Sequence, residues 1–165
     1  VNDWQRVTGS PAQRGLTLIE LLICITILAI LASVALPMAE LAVTRTKEME
    51  LRRSLREVRS ALDAWKDDYD KAVEQKKIIT SINETGYPES LEKLLEGNDW
   101  GGLYPHKRRY LRRLPVDPFD EYEEGWGLRS YKDEPDSTVY GGEDVYDIYS
   151  QSTRIGLDGT PYNTW

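Results

Sequence analysis

From Leu16 to Leu36 the chain runs 21 residues, LTLIELLICITILAILASVAL, without Gly, Pro, Lys or Arg. At about 1.5 Å per helical residue the run reaches roughly 30 Å, the hydrocarbon thickness of a bilayer. A helix is the only open segment that sits there, because it satisfies its own backbone hydrogen bonds. One residue is out of place. A lone carboxylate at the centre of a membrane helix costs about 2.5 to 3.5 kcal/mol, so Glu20 needs an explanation. Near the end of the run that cost falls, and the side chain can reach the interface and complement the helix dipole. The run is longer than the h-region of a removable secretory signal, and helix-compatible charged sequence follows it at once.

Beyond the run, EMELRRSLREVRSALDAWKDDYDKAVEQKK places Leu51, Leu55, Val58, Leu62, Trp65, Tyr69 and Ala72 at alternating spacings of four and three. That is one helical stripe, and its simplest partner is the chain's own domain. No Gly or Pro interrupts residues 38–77, so the two segments are expected to form one rod of about 60 residues. Pro37 lacks an N–H and crowds the carbonyl four residues back, so a kink or local melting is expected there. The helix is expected to stop after Lys77, before ITSINETGYPESL, where Asn83, Gly86 and Pro88 carry turn chemistry. Ser90 is the expected cap of a short helix, SLEKLLEG, closed by Gly97. The rest is rich in Gly, Pro, Asp and Tyr. GWGLRSYK and DVYDIYSQ read as short strands, with VYGGED between them as a turn.

Charge is uneven. Residues 1–39 balance, residues 40–77 carry ten basic and nine acidic groups, and residues 78–165 carry nine basic and seventeen acidic groups. An outer domain of net charge −8 repels nucleic acid, which argues against a DNA or RNA partner. Cys24 is the only cysteine and lies inside the apolar run, so no intramolecular disulfide exists. The positive-inside rule does not decide topology: Arg6 and Arg14 flank one side of the run, and Arg45, Lys47, Arg52 and Arg53 flank the other.

Little suggests catalysis. His106, the only histidine, sits among basic residues, and no nucleophile elbow, metal-binding His pair or phosphate loop is present. The carboxylates of DPFDEYEEG read as solvated turn residues, and Trp65 and Tyr69 as core. The basic stretch HKRRYLRR, residues 106–113, reads as a solvated face, or as a contact with anionic lipid or the acidic face of a neighbouring subunit.

A cut between Gly15 and Leu16 would create an α-amino group, of pKa roughly 8, one helical turn from Glu20. RGLTLIELL, followed by a long apolar helix, resembles the prepilin signature of type IV pilins and type II secretion pseudopilins. The resemblance implies that a prepilin peptidase cuts after Gly15, that Leu16 is N-methylated, and that Glu20 pairs with the terminal amine of a neighbouring subunit. Leu16 stands where phenylalanine is commonest, a conservative departure. Residues 1–15 then read as a leader, 16–37 as the transmembrane and filament-core helix, 38–77 as its amphipathic continuation, and 78–165 as a small head. Ala29, Ala32 and Ser33 allow close helix approach.

Downstream, GYPESLEKLLE, YLRRLPVDPFDEYEEGWGLRSY and DVYDIYSQS…LDGTPYNTW resemble corresponding segments of the major pseudopilin of the type II secretion system. The implied fold is α+β and pilin-like: a long N-terminal helix packed on a small C-terminal antiparallel sheet. The implied role is a homopolymeric filament subunit that works with minor pseudopilins, an inner-membrane assembly platform and its ATPase. It would cross the bacterial inner membrane once, in contact with its lipid, with the C-terminal domain in the periplasm. A type IV pilin or minor pilin is the first alternative, and a membrane-anchored periplasmic enzyme the second. Major pseudopilins bind calcium before the last Trp. Here that loop offers Asp158 as its one carboxylate, with Ser150, Ser152 and Asn163, a thin set for an ion that takes six to eight oxygens. The Asp158-Gly159 pair reads more simply as a turn.

Overall fold

The computed structural model describes residues 15–81 and 84–165. It contains helix α1 (Leu18–Glu74), a short helix α2 (Glu92–Glu96), strands β1 (Gly127–Arg129) and β2 (Asp147–Tyr149), and a final 3-10 turn over Tyr162–Thr164. The fold is α+β, a long N-terminal helix with a small two-stranded antiparallel sheet, as the pilin-like resemblance implies. The described residues divide into two units between Ala42 and Val43.

The first unit is the apolar part of α1. Its large side chains are exposed all round the helix, from Leu18 and Ile19 through Ile30 and Leu31 to Leu36 and Leu41. The helical span runs through Pro37. The hydroxyls within the run are satisfied locally: Thr26 donates to the Leu22 carbonyl at 2.8 Å and Ser33 to the Ile30 carbonyl at 2.7 Å. Neither therefore brings an unsatisfied donor into an apolar surrounding.

The second unit has its own core. The stripe behaves as its spacing predicts: Leu51, Leu55, Val58, Leu62, Trp65 and Ala72 are buried, and Tyr69 packs at the edge of the same cluster. Against them lie Leu91, Leu94, Trp100, Leu111, Phe119, Val145 and Ile148. Each fully buried Leu, Ile or Val contributes about 1.5 to 3 kcal/mol, so the stripe and the side chains packed on it stabilise the head together. Trp65 meets Trp100 edge-on at 4.8 Å and Tyr110 at 5.3 Å.

Helix ends differ from the sequence reading by a few residues. At its start, α1 opens at Leu18 because Thr17 caps it. At its end, α1 stops at Glu74 and not at Lys77. Lys76 adopts a left-handed φ of 54° and donates to the Val73 carbonyl, while Lys77 donates to the Ala72 carbonyl. This is the Schellman arrangement with Lys where glycine is usual, so no glycine marked it in advance. Helix α2 is shorter than SLEKLLEG: Leu91 occupies the cap position and no side chain caps it, while the Ser90 carbonyl accepts from Lys93. Gly97 does close it, at φ 75°, where a Cβ would collide with the Arg108 carbonyl. That close approach lets Asn98 and Arg108 exchange backbone hydrogen bonds at 3.1 and 2.9 Å.

The strands are only the centres of the expected segments. Leu128 lies opposite Ile148, and Gly127 opposite Tyr149, whose ring covers the space a Cβ would fill. The expected VYGGED turn is one part of a longer connection, residues 130–146. Of the turn residues expected after α1, Gly86 has φ 85° beneath the Tyr69 ring, and Asn83 lies outside the described residues.

Candidate functional site

Gly15, Leu16 and Thr17 precede the helix and are exposed. The Gly15–Leu16 bond is thus in non-helical backbone, and nothing lies within 4 Å of the position a Gly15 Cβ would take. Thr17 caps α1: its Oγ1 accepts from the Glu20 N–H at 3.2 Å and its carbonyl accepts from Leu21 at 3.1 Å. Thr-Leu-Ile-Glu is therefore the capping-box pattern, with Glu20 in the first turn, where the helix dipole favours a negative charge. The Glu20 side chain is exposed, and among the described residues no cation pairs with it. Helix α1 is long and apolar enough to cross a membrane, and its apolar stretch is not buried by the described residues.

In the head, two carboxylates on the apolar stripe were missed by sequence reasoning. Asp68 is fully buried and accepts from Tyr110 at 2.7 Å, from Tyr104 at 2.9 Å and from Arg108 at 2.8 Å. Burial alone would raise its pKa, but hydrogen bonds from Tyr110 and Tyr104, the Arg108 charge and Lys71 together hold it below the ordinary 3.8. Arg108 thus leaves the solvated basic stretch of the sequence reading and anchors that stretch to α1. Glu48, the other, accepts from the Leu157 N–H at 2.6 Å and the Tyr162 hydroxyl at 3.0 Å. Burial, and then the Glu48 hydrogen bond, push Tyr162 up to about 12. The signal was available in the spacing: Glu48 stands three before Leu51, and Asp68 three after Trp65.

The C-terminal loop is held by the same helix. Arg59 donates to the Trp165 carbonyl at 3.0 Å and pairs with Asp147 at 2.7 Å, and the Arg52 guanidinium lies 4.2 Å from the Trp165 ring centroid. Asp158 accepts from the Thr160 N–H and hydroxyl and from Arg52 at 3.0 Å, closing a turn with Gly159 at φ 83°. The Ser150 side chain is buried and accepts from the Ser152 N–H at 3.2 Å. Asp158 thus shares its carboxylate with the Arg52 guanidinium, and among the described residues no three or more His, Cys, Asp or Glu side chains group closely enough to hold a metal ion.

The DPFDEYEEG carboxylates are not all solvated. Asp117 is buried and its Oδ1 accepts from the Phe119 N–H at 2.8 Å, and Asp120 binds three backbone N–H groups. Both are Asx-type turn residues, which fold the loop around their own carboxylates. His106 is on the surface, as expected.

Residues 10–36 match the family model described as the prokaryotic N-terminal methylation motif. The match covers Gly15, Leu16, Glu20 and the apolar run, and it supports a type IV pilin-like, prepilin-processed subunit with a structural role. Together with the one long apolar helix among the described residues it also supports a single-pass membrane anchor. No curated protein and no solved structure matches the chain.

Proposed function

We propose that the chain is a pseudopilin, cut after Gly15 by a prepilin peptidase, N-methylated on Leu16 and assembled into a periplasmic helical filament that drives type II protein secretion. The observation that carries this reading is an exposed apolar helix that opens on Gly-Leu-Thr-Leu-Ile-Glu inside a methylation motif. Such a helix, apolar on every side, is stable in lipid or among copies of itself. In either place Glu20 needs a counter-charge, and the new Leu16 amine of a neighbouring copy has the charge and the depth to supply it. Heterologous contacts of this kind repeat without closing, which gives an open helical polymer.

In this reading residues 1–15 are the leader, and the head lies in the periplasm with the helix crossing the bacterial inner membrane. An assembly platform with its ATPase, and minor pseudopilins, complete the machine. The head supports a pseudopilin over a type IVa pilin: those typically close the C-terminal loop with a disulfide, whereas here Glu48, Arg52 and Arg59 hold it.

The test is Glu20→Ala in the full chain. Cleavage after Gly15 is expected to persist while filament yield falls about tenfold or more, the equivalent of at least ~1.4 kcal/mol of lost contact. Filaments at the normal level from that variant would remove the charge-pairing role.

A further inference from the structure

Along α1 in the head, two adjoining hollows of about 700 and 780 Å³ share Arg53, Glu57 and Arg113. They form one groove between the helix from Met49 to Ala64 and the segment 108–116. Arg108 is committed to Asp68. The exposed Arg53, Arg109, Arg112 and Arg113 have no carboxylate partner among the described residues, and the acids in the groove are Glu50 and Glu57. The groove is therefore a net basic surface on a head whose residues 78–165 carry net charge −8.

The same head displays the complement. Residues 120–125 form a loop organised from within: the Asp120 carboxylate accepts from the N–H groups of Tyr122, Glu124 and Gly125, at 3.3, 3.1 and 2.7 Å. These bonds, first that of Gly125, hold the Asp120 pKa below its ordinary value. The loop projects Tyr122, 82% exposed, between Glu121 and Glu123. Arg154 takes up Glu121 at 3.0 Å, whereas the Glu123 and Glu124 carboxylates have no cation partner among the described residues. A preformed loop with an aromatic tip loses little entropy on docking.

We propose that Tyr122, Glu123 and Glu124 of one copy dock into the Arg53, Arg109, Arg112 and Arg113 groove of the next, as a head-to-tail contact. The occupant is a second copy because the chain exposes both surfaces at different places, and copies of net negative charge attract only where opposite signs meet. The contact is heterologous, so it propagates along a polymer. It rests on the filament reading above and adds the head surfaces that set neighbour orientation.

The test is a charge swap in the full chain, with filament yield as the readout. Arg112→Glu with Arg113→Glu, and separately Glu123→Arg with Glu124→Arg, are each expected to lower yield about tenfold, and the four together to restore it to within about threefold. All four residues are exposed, and a thermal unfolding midpoint matching the unaltered chain checks that each variant folds. Unchanged yield from either pair, or no rescue by the combination, overturns the contact and leaves the filament reading standing. Loss of binding to anionic phosphatidylglycerol vesicles by the arginine pair, without rescue, assigns the groove to lipid and also overturns it. Should the unaltered chain form no filaments, the filament reading fails and cross-linking judges the contact. Arg112→Cys with Glu123→Cys, in a Cys24→Ala chain in oxidised membranes, then gives covalent dimers and longer species, and monomer alone contradicts it.

Discussion

One helix, α1, contains two lengths with opposite solutions to the same problem. From Val43 onward it hides its apolar residues in one stripe and spends its remaining faces on charges that bind the head: Glu48, Arg52, Arg59 and Asp68 all reach segments far away in the chain. Before Ala42 the helix has apolar residues on every side and, at Leu21, Ile25 and Leu28, exposes half or more of each side chain. Both lengths belong to one continuous α-helix. The difference lies in what covers the surface: the described residues leave the first length uncovered, whereas the second buries its stripe in the head.

The largest effect that can break this contrast is the loss of a buried carboxylate. Asp68→Ala leaves Arg108, Tyr104 and Tyr110 without their shared acceptor, and is expected to cost the head about 3 kcal/mol in urea unfolding. Leu22→Ala, in the exposed length, is expected to change head stability by less than about 0.5 kcal/mol. Equal effects would mean that the two lengths are not energetically separate.

The next is pH. Asp68 has a depressed pKa, so its contribution is complete above the unfolded value of 3.8 and disappears as pH falls through its lower folded value. Tyr162 has a raised pKa, so its contribution is present below the ordinary 10.0 and disappears as pH rises toward about 12. Head stability measured by tryptophan fluorescence is expected to stay level between these limits. Tyr162→Phe should shrink the alkaline limb without removing it, because burial also raises the pKa values of Tyr87, Tyr110 and Tyr140, and a limb of unchanged size in that variant would clear Tyr162 of any part in it.

The smallest effect sharpens where the head's helix ends. Lys76→Gly relieves a left-handed residue and is expected to stabilise the head by up to about 1 kcal/mol. A loss of stability there would argue against the Schellman arrangement.

Much of this contrast is legible in the residues. The apolar run and the stripe from Leu51 to Ala72 depend on local periodicity, which survives folding unchanged. The capping pattern of Thr17 and Glu20 is equally local. What escapes such reading is set by distant partners. Spacing puts Asp68 on the stripe, but its role as a shared acceptor depends on Tyr104, Arg108 and Tyr110, which arrive from a different segment, and the Arg52 partner of Asp158 is 106 residues away. The strands shrink to three residues each because little of GWGLRSYK and DVYDIYSQ finds a ladder partner. The cleavage proposed after Gly15, by contrast, rests on the motif and on the exposed, non-helical backbone at Gly15 and Leu16.

Intact-mass and N-terminal mass spectrometry of the chain extracted from its native membrane tests the central claim most directly. The account predicts a first residue of Leu16 bearing one methyl group on its amine. A chain that keeps residues 1–15, or that begins elsewhere with an unmodified amine, would contradict it.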